Sequence, residues 1–375
     1  SRYQRSINLI YMYDIAIVGA GINGSSVAYE FVQAGKNVVI FDESAIAAGG
    51  SGAAGAFISP KFSKAGELKE LIHEAFVYST SFYEKHFPKL YTKTRLLHFA
   101  QDDKDADILK YYKKHTSLKL YDENPTGLDA EYISLDSGIV DAKSMCEALC
   151  EGARFIKEKI NKLVYEDSYW VLNDTYAAKE VVLATGAYKS LLNETYIKLR
   201  GVWGHRIDIK TSTKNENSIH QFVSISPNKD GVLAIGATHN VHYHPESSKE
   251  QYDFSEGRVE LLEKATRTLD LENVEVIKDY VGLRSGSFDY LPLLGAIVNS
   301  KETLAMGEKN IRVKKPDFEN FTYYPNLYMI NGNGGYGFVL APYLAKKLAE
   351  FILKGKRIDK ILSPARFFAR WVKKS

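Results

Sequence analysis

The chain of 375 residues carries 49 Lys and Arg against 46 Asp and Glu, a net charge of +3, with 45% hydrophobic residues. This balance is typical of a globular protein with room for more than one domain, and it excludes collagen-like and disordered classes. No uninterrupted apolar stretch reaches about 18 residues, so the sequence predicts no membrane span.

Residues 1–11 precede Met12, which has the character of a natural start. We interpret them as a tag or an upstream extension rather than as a signal peptide, because no small-residue cleavage pattern follows. The two cysteines, Cys146 and Cys150, lie four residues apart in a predicted helix. This spacing predicts two small core side chains on one helix face. A count of two excludes a disulfide scaffold and fits a reducing compartment, so we expect a cytoplasmic protein.

The first predicted elements are an apolar strand at 15–18, a glycine turn at 19–24, a helix at 25–34 and an apolar strand at 38–41. This order predicts the βαβ unit of a Rossmann-like fold. In its GxGxxG pattern the first glycine permits a tight turn, the second lets the backbone approach a pyrophosphate, and the third lets helix and strand pack closely. Asp42 ends the second strand, where its carboxylate would accept the ribose hydroxyls of a dinucleotide and disfavour a 2′-phosphate.

The remaining elements alternate between helices and short strands. Helices are predicted at 67–87, 102–114, 142–152, 255–269 and 338–353, and strands at 95–99, 154–165, 169–172, 181–187 and 327–330. Residues 201–240 alternate apolar and polar side chains between turn signals, which predicts antiparallel sheet. Elements of the βα type at both ends of the chain therefore bracket a mixed α+β middle, and the predicted fold class is α/β.

NAD and FAD share the glycine fingerprint, and three features favour FAD. The fingerprint lies at the N-terminus of a long chain, a small-residue loop at 48–56 follows the second strand, and a third glycine loop at 332–337 opens the last long helix. Three distant loops suit one long ligand, and the N-terminus of the last helix would stabilise negative charge on a reduced flavin ring. The alternative for the second loop is a flexible linker.

Taken together, these segments resemble the FAD-dependent oxidoreductases of the D-amino-acid oxidase, glycine oxidase and sarcosine oxidase superfamily, over about residues 13–374. The resemblance is carried by residues 17–24, 51–55, 137–141, 181–187, 282–284, 291–295 and 331–342. It implies a Rossmann-like FAD-binding domain of the glutathione-reductase type and a mixed α+β substrate domain with antiparallel sheet. The FAD-binding domain is expected at 12–62, 138–200, 280–300 and 322–375, and the substrate domain at 63–137 and 201–279.

Within this superfamily the chain looks most similar to the FAD half of the bifunctional tRNA enzyme that makes 5-methylaminomethyl-2-thiouridine. The carriers are 50–55 with Pro60, 199–201, 282–284 with 289–292, and 363–367 with Arg370. The chain departs from the pattern at Tyr336, where relatives often carry Arg, and at 203–204, which replace a Gln. We expect no methyltransferase domain before Met12, so the resemblance implies a methyltransferase as a separate partner.

The resemblance implies oxidation of a C–N bond by hydride transfer to non-covalent FAD, followed by hydrolysis of the imine. On tRNA, a carboxymethylaminomethyl-uridine would lose its carboxymethyl arm as glyoxylate. Arg284 matches the family's carboxylate-binding arginine, and its planar guanidinium suits that role; the alternative is a structural ion pair. Two other functions stay open: an oxidase or dehydrogenase of free glycine, sarcosine or a D-amino acid, and a flavoprotein scaffold or sensor without catalysis.

The candidate catalytic residues are therefore Arg284 and Tyr336, and no metal site is expected. Cofactor contacts are expected at Gly19, Ala20, Gly21, Ile22, Asn23, Gly24, Asp42, Glu43, Gly50, Ser51, Gly52, Gly55, Val164, Ala184, Thr185, Gly186, Arg284, Gly332, Gly334, Gly335, Tyr336 and Gly337. The trio His239, His242 and His244 is interpreted as a solvated loop rather than a metal site. Lys61 is interpreted as a surface lysine, although it follows the flavin loop.

The positive charge is concentrated at the C-terminus. Residues 354–375 hold eight basic residues and one acid, a net charge of +7, which leaves the rest of the chain acidic. Aromatic residues at 367, 368 and 371 lie between these charges. This pattern predicts either a solvated terminal helix or a tRNA phosphate contact through Arg366, Arg370, Lys373 and Lys374.

Overall fold

A computed structural model describes residues 12–188, 191–307 and 309–374, so the expectation for residues 1–11 lies outside the described residues. The strands are β1 (Met12–Val18), β2 (Val38–Asp42), β3 (Phe57–Ile58), β4 (Tyr91–Phe99), β5 (Leu120–Tyr121), β6 (Tyr132–Val140), β7 (Arg154–Lys157), β8 (Leu163–Glu166), β9 (Tyr169–Leu172), β10 (Tyr176–Leu183), β11 (Leu199–Lys210), β12 (Ser218–His220), β13 (Ser224–Ile225), β14 (Val232–Gly236), β15 (Glu275–Ser287), β16 (Leu293–Val298) and β17 (Tyr323–Asn331). The helices are α1 (Ile22–Gln33), α2 (Gly50–Ala53), α3 (Glu67–His86), α4 (Asp103–His115), α5 (Ala142–Leu149), α6 (Phe254–Thr266), α7 (Ser300–Ala305), α8 (Gly337–Lys354) and α9 (Ala365–Trp371). Within the described ranges, every helix is too short or too polar to cross a membrane.

The first sheet has the Rossmann-like arrangement expected from the glycine fingerprint. Its strands lie in the order β16-β17-β10-β1-β2-β7, and the β8–β9 hairpin is attached to β10. The five strands from β17 to β7 are parallel, and β16 is antiparallel to β17. The chain leaves β1 towards β2, while β10 lies on the other side of β1. The carboxyl end of β1 is therefore a topological switch point, where ligands bind in folds of this type.

The central strand β1 is buried on both faces, which explains its continuous apolar sequence. Ile15 and Ile17 face the core formed with α1, α3 and α8. Ala16 and Val18 face the opposite core, to which the C-terminal helix α9 contributes Phe368. Side chains alternate between the faces of a strand, so one short segment joins both cores.

The second sheet lies in the order β15-β11-β14-β13-β12-β4-β6-β3. Its pairings from β15 to β12 are antiparallel, as predicted for residues 201–240. The exception is β12, which pairs in parallel with β4 and sets His220 beside His98 in register. Sequence periodicity predicts a strand, but it carries no information about a partner more than 100 residues away.

Several of the expected domain and strand boundaries differ from those in the structure. Residues 138–140 complete β6 and residues 280–287 complete β15, so both segments belong to the second sheet rather than to the FAD-binding sheet. The predicted strand at 154–165 is interrupted, because β7 ends at Lys157 and β8 begins at Leu163. The long strand β15 runs from an exposed end to the region between the two sheets.

Both cysteines are free and buried in the core, as predicted for this helix face. Cys150 donates its thiol hydrogen to Ser25 Oγ at 3.3 Å, which joins α5 to α1. Burial raises the pKa of the Cys150 thiol to about 11, so the reactive thiolate is disfavoured at neutral pH.

The basic C-terminal segment is not a solvated helix, and part of its positive charge is paired with a carboxylate. Phe368 is fully buried against the rings of Tyr196 and Phe321. Arg366 is 6% exposed and donates to both carboxylate oxygens of Asp289 at 2.9 Å. The predicted tRNA contact through Arg366 is therefore wrong, because its guanidinium is enclosed and paired.

The other three basic residues of that prediction differ in their surroundings. Arg370 also donates to Asp289, at 2.7 Å, although its side chain remains 57% exposed. The exposed Lys373 donates to the carbonyl oxygen of Lys314, and Lys374 is exposed. Burial alone would raise the pKa of Asp289, but the two arginines and the Ser287 hydroxyl hold it at about 2.

We expect Arg366→Ala to lower the free energy of unfolding by roughly 3 kcal/mol, because it leaves part of a buried ion pair without its partner. Arg370→Ala is the matched control and should cost less than about 1 kcal/mol, since exposed pairs contribute little. The folded-state pKa of Asp289 is depressed, so its contribution is present above about pH 4 and is lost as the pH falls towards 2. Urea unfolding at pH 7 and pH 3 measures both effects. Equal losses for the two variants at pH 7 would contradict this assignment.

Candidate functional site

The three glycine-rich loops converge on one cavity of about 780 Å³ between the two sheets, a size typical of ligand sites. Most of the residues selected from the sequence line it. They are Gly19, Gly21, Ile22, Asn23, Asp42, Glu43, Gly50, Ser51, Gly55, Ala184, Thr185, Gly186, Arg284, Gly334, Gly335, Tyr336 and Gly337. The structure therefore brings together segments that are more than 300 residues apart in sequence.

Five selected residues do not line this cavity: Ala20, Gly24, Gly52, Val164 and Gly332. Val164 pairs with Val171 in the β8–β9 hairpin, and Glu158–Ile160 form that wall instead. The chain leaves the sheet where β7 ends, before Val164 is reached. A Cβ on Gly24 would lie 1.8 Å from the Gly19 carbonyl oxygen, so Gly24 serves helix–strand packing as predicted.

The first loop presents the N-terminus of α1 to the cavity. Gly19 adopts φ +104°, and a Cβ there would lie 2.3 Å from the Ala184 carbonyl oxygen. Gly21 caps α1 without a side-chain hydrogen bond, and the first turn holds no acidic residue. Open N–H groups and the helix dipole favour an anion at such a terminus. Ser51 Oγ accepts from the Ile22 N–H at 2.9 Å, which fixes the second loop against the first.

The second loop packs directly on strand β15. A Cβ on Gly50 would lie 2.5 Å from the Leu283 carbonyl oxygen, and a Cβ on Gly282 would lie 2.8 Å from the Gly50 Cα. Only glycine permits this approach of two backbones. The contact sets Arg284, which follows Leu283, into the cavity beside the loop.

The third loop is tied to the other two by amide side chains. Asn331 donates to the Gly186 carbonyl oxygen at 2.9 Å, and Asn333 donates to Asn23 Oδ1 at 2.7 Å. The loop leads into α8, whose N-terminus also lacks a side-chain cap. Two uncapped helix N-termini therefore border the same cavity.

The carboxylate of Asp42 lies at the end of β2, on the cavity wall. Its oxygens accept from the Ala20 and Ser44 N–H groups, both at 3.0 Å. This arrangement fixes the carboxylate beside the fingerprint loop, where a ribose is expected. Neighbouring Glu43 pairs with Lys159 at 2.7 Å on the same wall.

These features fit a flavin adenine dinucleotide. A helix N-terminus without an acidic residue in its first turn borders the cavity where a pyrophosphate is expected, and the Asp42 carboxylate lies on the same wall. A Cβ on Gly334 or Gly335 would meet nothing within 4 Å, so the third loop leaves its side of the cavity open. Bound there, FAD would accept two electrons and one proton from a substrate as a hydride equivalent. Residues of the α1 turn, Asp42 and the 48–56 loop would hold it.

Arg284 is partly buried on the cavity wall and, among the described residues, forms no ion pair. Its Nη2 donates to the Thr238 carbonyl oxygen at 3.0 Å. Burial lowers the pKa of the guanidinium, which remains charged at neutral pH. A Cβ on Gly204 would lie 2.6 Å from Arg284 Nη2, so glycine at 204 provides the room in which this guanidinium lies. The departure from the family pattern at 203–204 thus serves Arg284.

Tyr336 and Lys61 face each other across the cavity wall. Lys61 Nζ lies 6.0 Å from the centre of the Tyr336 ring, and both residues line the cavity. The expectation that Lys61 is an ordinary surface lysine is therefore wrong. Burial raises the pKa of the Tyr336 hydroxyl to about 12, which keeps it protonated and able to donate a hydrogen bond.

An aromatic wall of three rings, Phe62, His98 and His220, also lines the cavity. The centroids of Phe62 and His98 are 4.4 Å apart, and the two imidazoles stack with centroids at 4.8 Å. Burial lowers the pKa of His220 to about 4 and that of His98 well below its ordinary value, so both rings are neutral at pH 7. Sequence reasoning missed this wall, because only the β4–β12 pairing brings its histidines together.

The histidines that were considered as metal ligands lie elsewhere. His239, His242 and His244 do not line the cavity. In the part of the chain that the structure describes, no group of three or more His, Cys, Asp or Glu side chains has an arrangement suited to a metal ion.

The relatives of the chain support its resemblance to the FAD half of the bifunctional tRNA enzyme. The chain is 24% identical to the tRNA 5-methylaminomethyl-2-thiouridine biosynthesis bifunctional protein MnmC of Legionella pneumophila (strain Corby), over 94% of this chain and 57% of that protein. It is 25% identical to the protein of the same name from Leptospira interrogans, over 96% of this chain and 61% of that protein. The chain thus spans less than two thirds of the length of these relatives.

Solved structures support the fold. Glycine oxidase from Geobacillus kaustophilus superposes with a TM-score of 0.75 at 20% identity, covering 95% of this chain and 98% of that one. L-proline dehydrogenase from P. horikoshii gives a TM-score of 0.74 at 18% identity, covering 96% and 99%. At these identities the likeness shows the shared fold.

A family model described as "DAO: FAD dependent oxidoreductase" matches residues 14–351. This match spans both sheets and all three glycine loops. It confirms the family, the α/β fold class and the FAD cofactor expected from the sequence. The chain belongs to the DAO family of FAD-dependent oxidoreductases.

Proposed function

We propose that the protein oxidises the C–N bond of an N-substituted glycine carried by a tRNA uridine, the carboxymethylaminomethyl group, and releases the aminomethyl form. Two relatives named as tRNA 5-methylaminomethyl-2-thiouridine biosynthesis proteins match nearly the whole chain. Such a substrate combines a carboxylate, an amine and a planar base. The cavity offers Arg284 to the carboxylate and an aromatic wall to the base.

The observation that carries the proposal is the cation of Arg284 in the cavity wall. Its recorded partner is a neutral carbonyl oxygen, and burial is the cause of its lowered pKa. A partly buried charge without a counter-charge is costly, so the site favours an anionic ligand. The carboxylate of a glycine unit satisfies the guanidinium through two parallel hydrogen bonds.

The residues of the chain act by binding and orientation. Arg284 holds the carboxylate and, by like-charge repulsion, disfavours a protonated amine on the same substrate, so the neutral amine that can lose hydride is favoured. The Tyr336 hydroxyl stays protonated and can donate to a polar atom of the substrate. The glycine methylene then gives up its hydride equivalent, the resulting imine takes up water, and glyoxylate and a primary amine leave.

The aromatic wall supports a substrate with a planar ring. Phe62, His98 and His220 line the cavity; the two uncharged imidazoles stack on each other, and Phe62 is tilted against His98. A pyrimidine stacks on such a surface, whereas free glycine has no ring to place there. This favours a nucleoside-linked glycine over the free amino acid.

Mass spectrometry of tRNA nucleosides tests the proposal. After incubation of the FAD-loaded protein with carboxymethylaminomethyl-modified tRNA and an electron acceptor, we expect the aminomethyl nucleoside and glyoxylate in equal amounts. Arg267→Ala, an exposed arginine outside the cavity, is the control and should convert the tRNA normally. Unchanged modified tRNA would contradict the proposal.

A second candidate is an oxidase or dehydrogenase of a free small amino acid. The same Arg284 favours it, because the guanidinium would bind the carboxylate of glycine, sarcosine or a D-amino acid equally well. Reduction of the flavin by one of these compounds, with modified tRNA inert, would establish this alternative.

The tRNA proposal also implies a cytoplasmic protein and a second enzyme. An aminomethyl product becomes methylaminomethyl only by methyl transfer to its amine. The relatives are named as bifunctional proteins and are longer than this chain. We therefore propose a methyltransferase, in the same or a separate chain, as the partner that consumes the product.

A further inference from the structure

We propose that the aromatic turn, residues 287–291 together with Arg200, is a stacking platform for a single-stranded segment of tRNA. This inference rests on the proposed tRNA substrate and assigns the surface that would hold the RNA outside the cavity. It replaces the buried Arg366 as the place of contact.

The platform displays two large aromatic rings to solvent. Phe288 is 55% exposed and Tyr290 is 64% exposed. The Arg200 guanidinium carbon lies 4.6 Å from the centre of the Tyr290 ring and 5.5 Å from that of Phe288. One cation thus contacts two exposed rings. Aromatic rings beside arginine are the combination on which unpaired bases stack.

Hydrogen bonds hold the backbone of this turn. Ser287 Oγ lies 2.7 Å from the Leu291 carbonyl oxygen and 3.0 Å from Asp289 Oδ1, and Tyr290 adopts φ +65°. Arg200 Nη2 donates to the Ser287 carbonyl oxygen at 3.2 Å. A fixed display of rings binds with little loss of conformational entropy.

The charge of the surface suits a polyanion. The one acid of the turn, Asp289, is neutralised by Arg366 and Arg370. Arg370 is 57% exposed, and Lys198 lies exposed at the start of the strand that carries Arg200. A net positive surface with exposed rings fits RNA better than it fits an apolar protein surface.

The platform is continuous with the cavity. Ser285, three residues before Phe288, lines the cavity and donates to Asn331 Oδ1 at 2.7 Å. Three residues of chain span at most about 10 Å. A nucleotide that flanks the modified uridine could therefore stack on the platform while the uridine side chain enters the cavity.

Binding of a fluorescently labelled stem-loop RNA, whose single-stranded loop carries the modified uridine, to the FAD-loaded protein tests this inference. We expect Phe288→Ala and Tyr290→Ala each to raise the Kd about 10-fold, because each ring would lose a stacked base. Tyr290→Phe keeps the ring and should bind normally. So should Val259→Ala, a matched control that is 56% exposed on α6. A fully paired RNA duplex of equal length should show no such dependence on the aromatic residues.

Unchanged Kd values for both alanine variants would overturn the inference. A changed sedimentation coefficient of the alanine variants without a change in Kd would also overturn it, because it would assign the rings to a protein–protein interface. The tRNA conversion assay separates this from the proposed function. If the protein converts tRNA and the alanine variants bind RNA normally, the platform is wrong and the proposed function stands. If binding depends on the rings but no tRNA is converted, the proposed function is wrong and the platform stands.

Discussion

Arg284→Ala is expected to lower kcat/KM about 10²- to 10³-fold for the substrate that the protein oxidises. A charged hydrogen-bonded pair that loses one member costs roughly 3–5 kcal/mol, and each 1.4 kcal/mol is a factor of ten. Arg284 lies on β15 beside the 48–56 loop, with its guanidinium over Gly204. Steady-state kinetics with modified tRNA, and with a free amino acid, measure the loss.

Two further variants define what Arg284 does. Arg284→Lys keeps the charge but loses the planar guanidinium with its two parallel donors, so it should retain only part of the activity that Arg284→Ala loses. Arg267→Ala should match the unaltered protein. A full loss in Arg284→Ala accompanied by loss of bound FAD would show that the arginine holds the cofactor instead. Normal kinetics in Arg284→Ala would exclude it from substrate binding.

Gly19→Ala is expected to abolish FAD binding and to lower the free energy of unfolding by several kcal/mol. The backbone at φ +104° costs an alanine roughly 1–3 kcal/mol. The Cβ would also lie 2.3 Å from the Ala184 carbonyl oxygen, a backbone atom that cannot yield without moving β10 from β1. The ratio of flavin to protein absorbance and the thermal midpoint measure the two effects.

Gly35→Ala is the matched control for this prediction. Gly35 also has a positive φ, +72°, but a Cβ there would meet nothing within 4 Å. The control therefore carries the conformational cost without the clash. It should lose about 1–2 kcal/mol and keep its flavin. If both variants retain FAD equally, the close contact at Gly19 is not required for cofactor binding.

The glycine fingerprint shows what sequence can predict. Gly19 adopts a positive φ, and a Cβ on Gly24 would meet the Gly19 carbonyl oxygen, so the spacing of the fingerprint alone predicts why both are glycine. The three loops were also predictable as parts of one site, because strand–loop–helix order places loops at the carboxyl edge of a parallel sheet. Arg284 was found through the family resemblance, since nothing in its local sequence marks it as a ligand.

The missed features all depend on pairing between distant segments. The aromatic wall needs the parallel β4–β12 pairing, which no local pattern encodes. Arg366 was misread as a phosphate contact because Asp289, its partner, lies 77 residues earlier. Val164 was misplaced because a loop interrupts the predicted strand after Lys157. Lys61 lines the cavity from the loop that follows β3, whereas its residue type alone indicated a position in solvent.

The most direct test of the central claim is anaerobic flavin absorbance during titration with tRNA. We expect carboxymethylaminomethyl-modified tRNA to bleach the flavin of the unaltered protein. Aminomethyl-modified tRNA, which lacks the carboxylate, should leave the flavin oxidised, and the flavin of Arg284→Ala should be reduced far more slowly. Equal reduction by both tRNAs, or no reduction by the modified tRNA at any concentration, would contradict it.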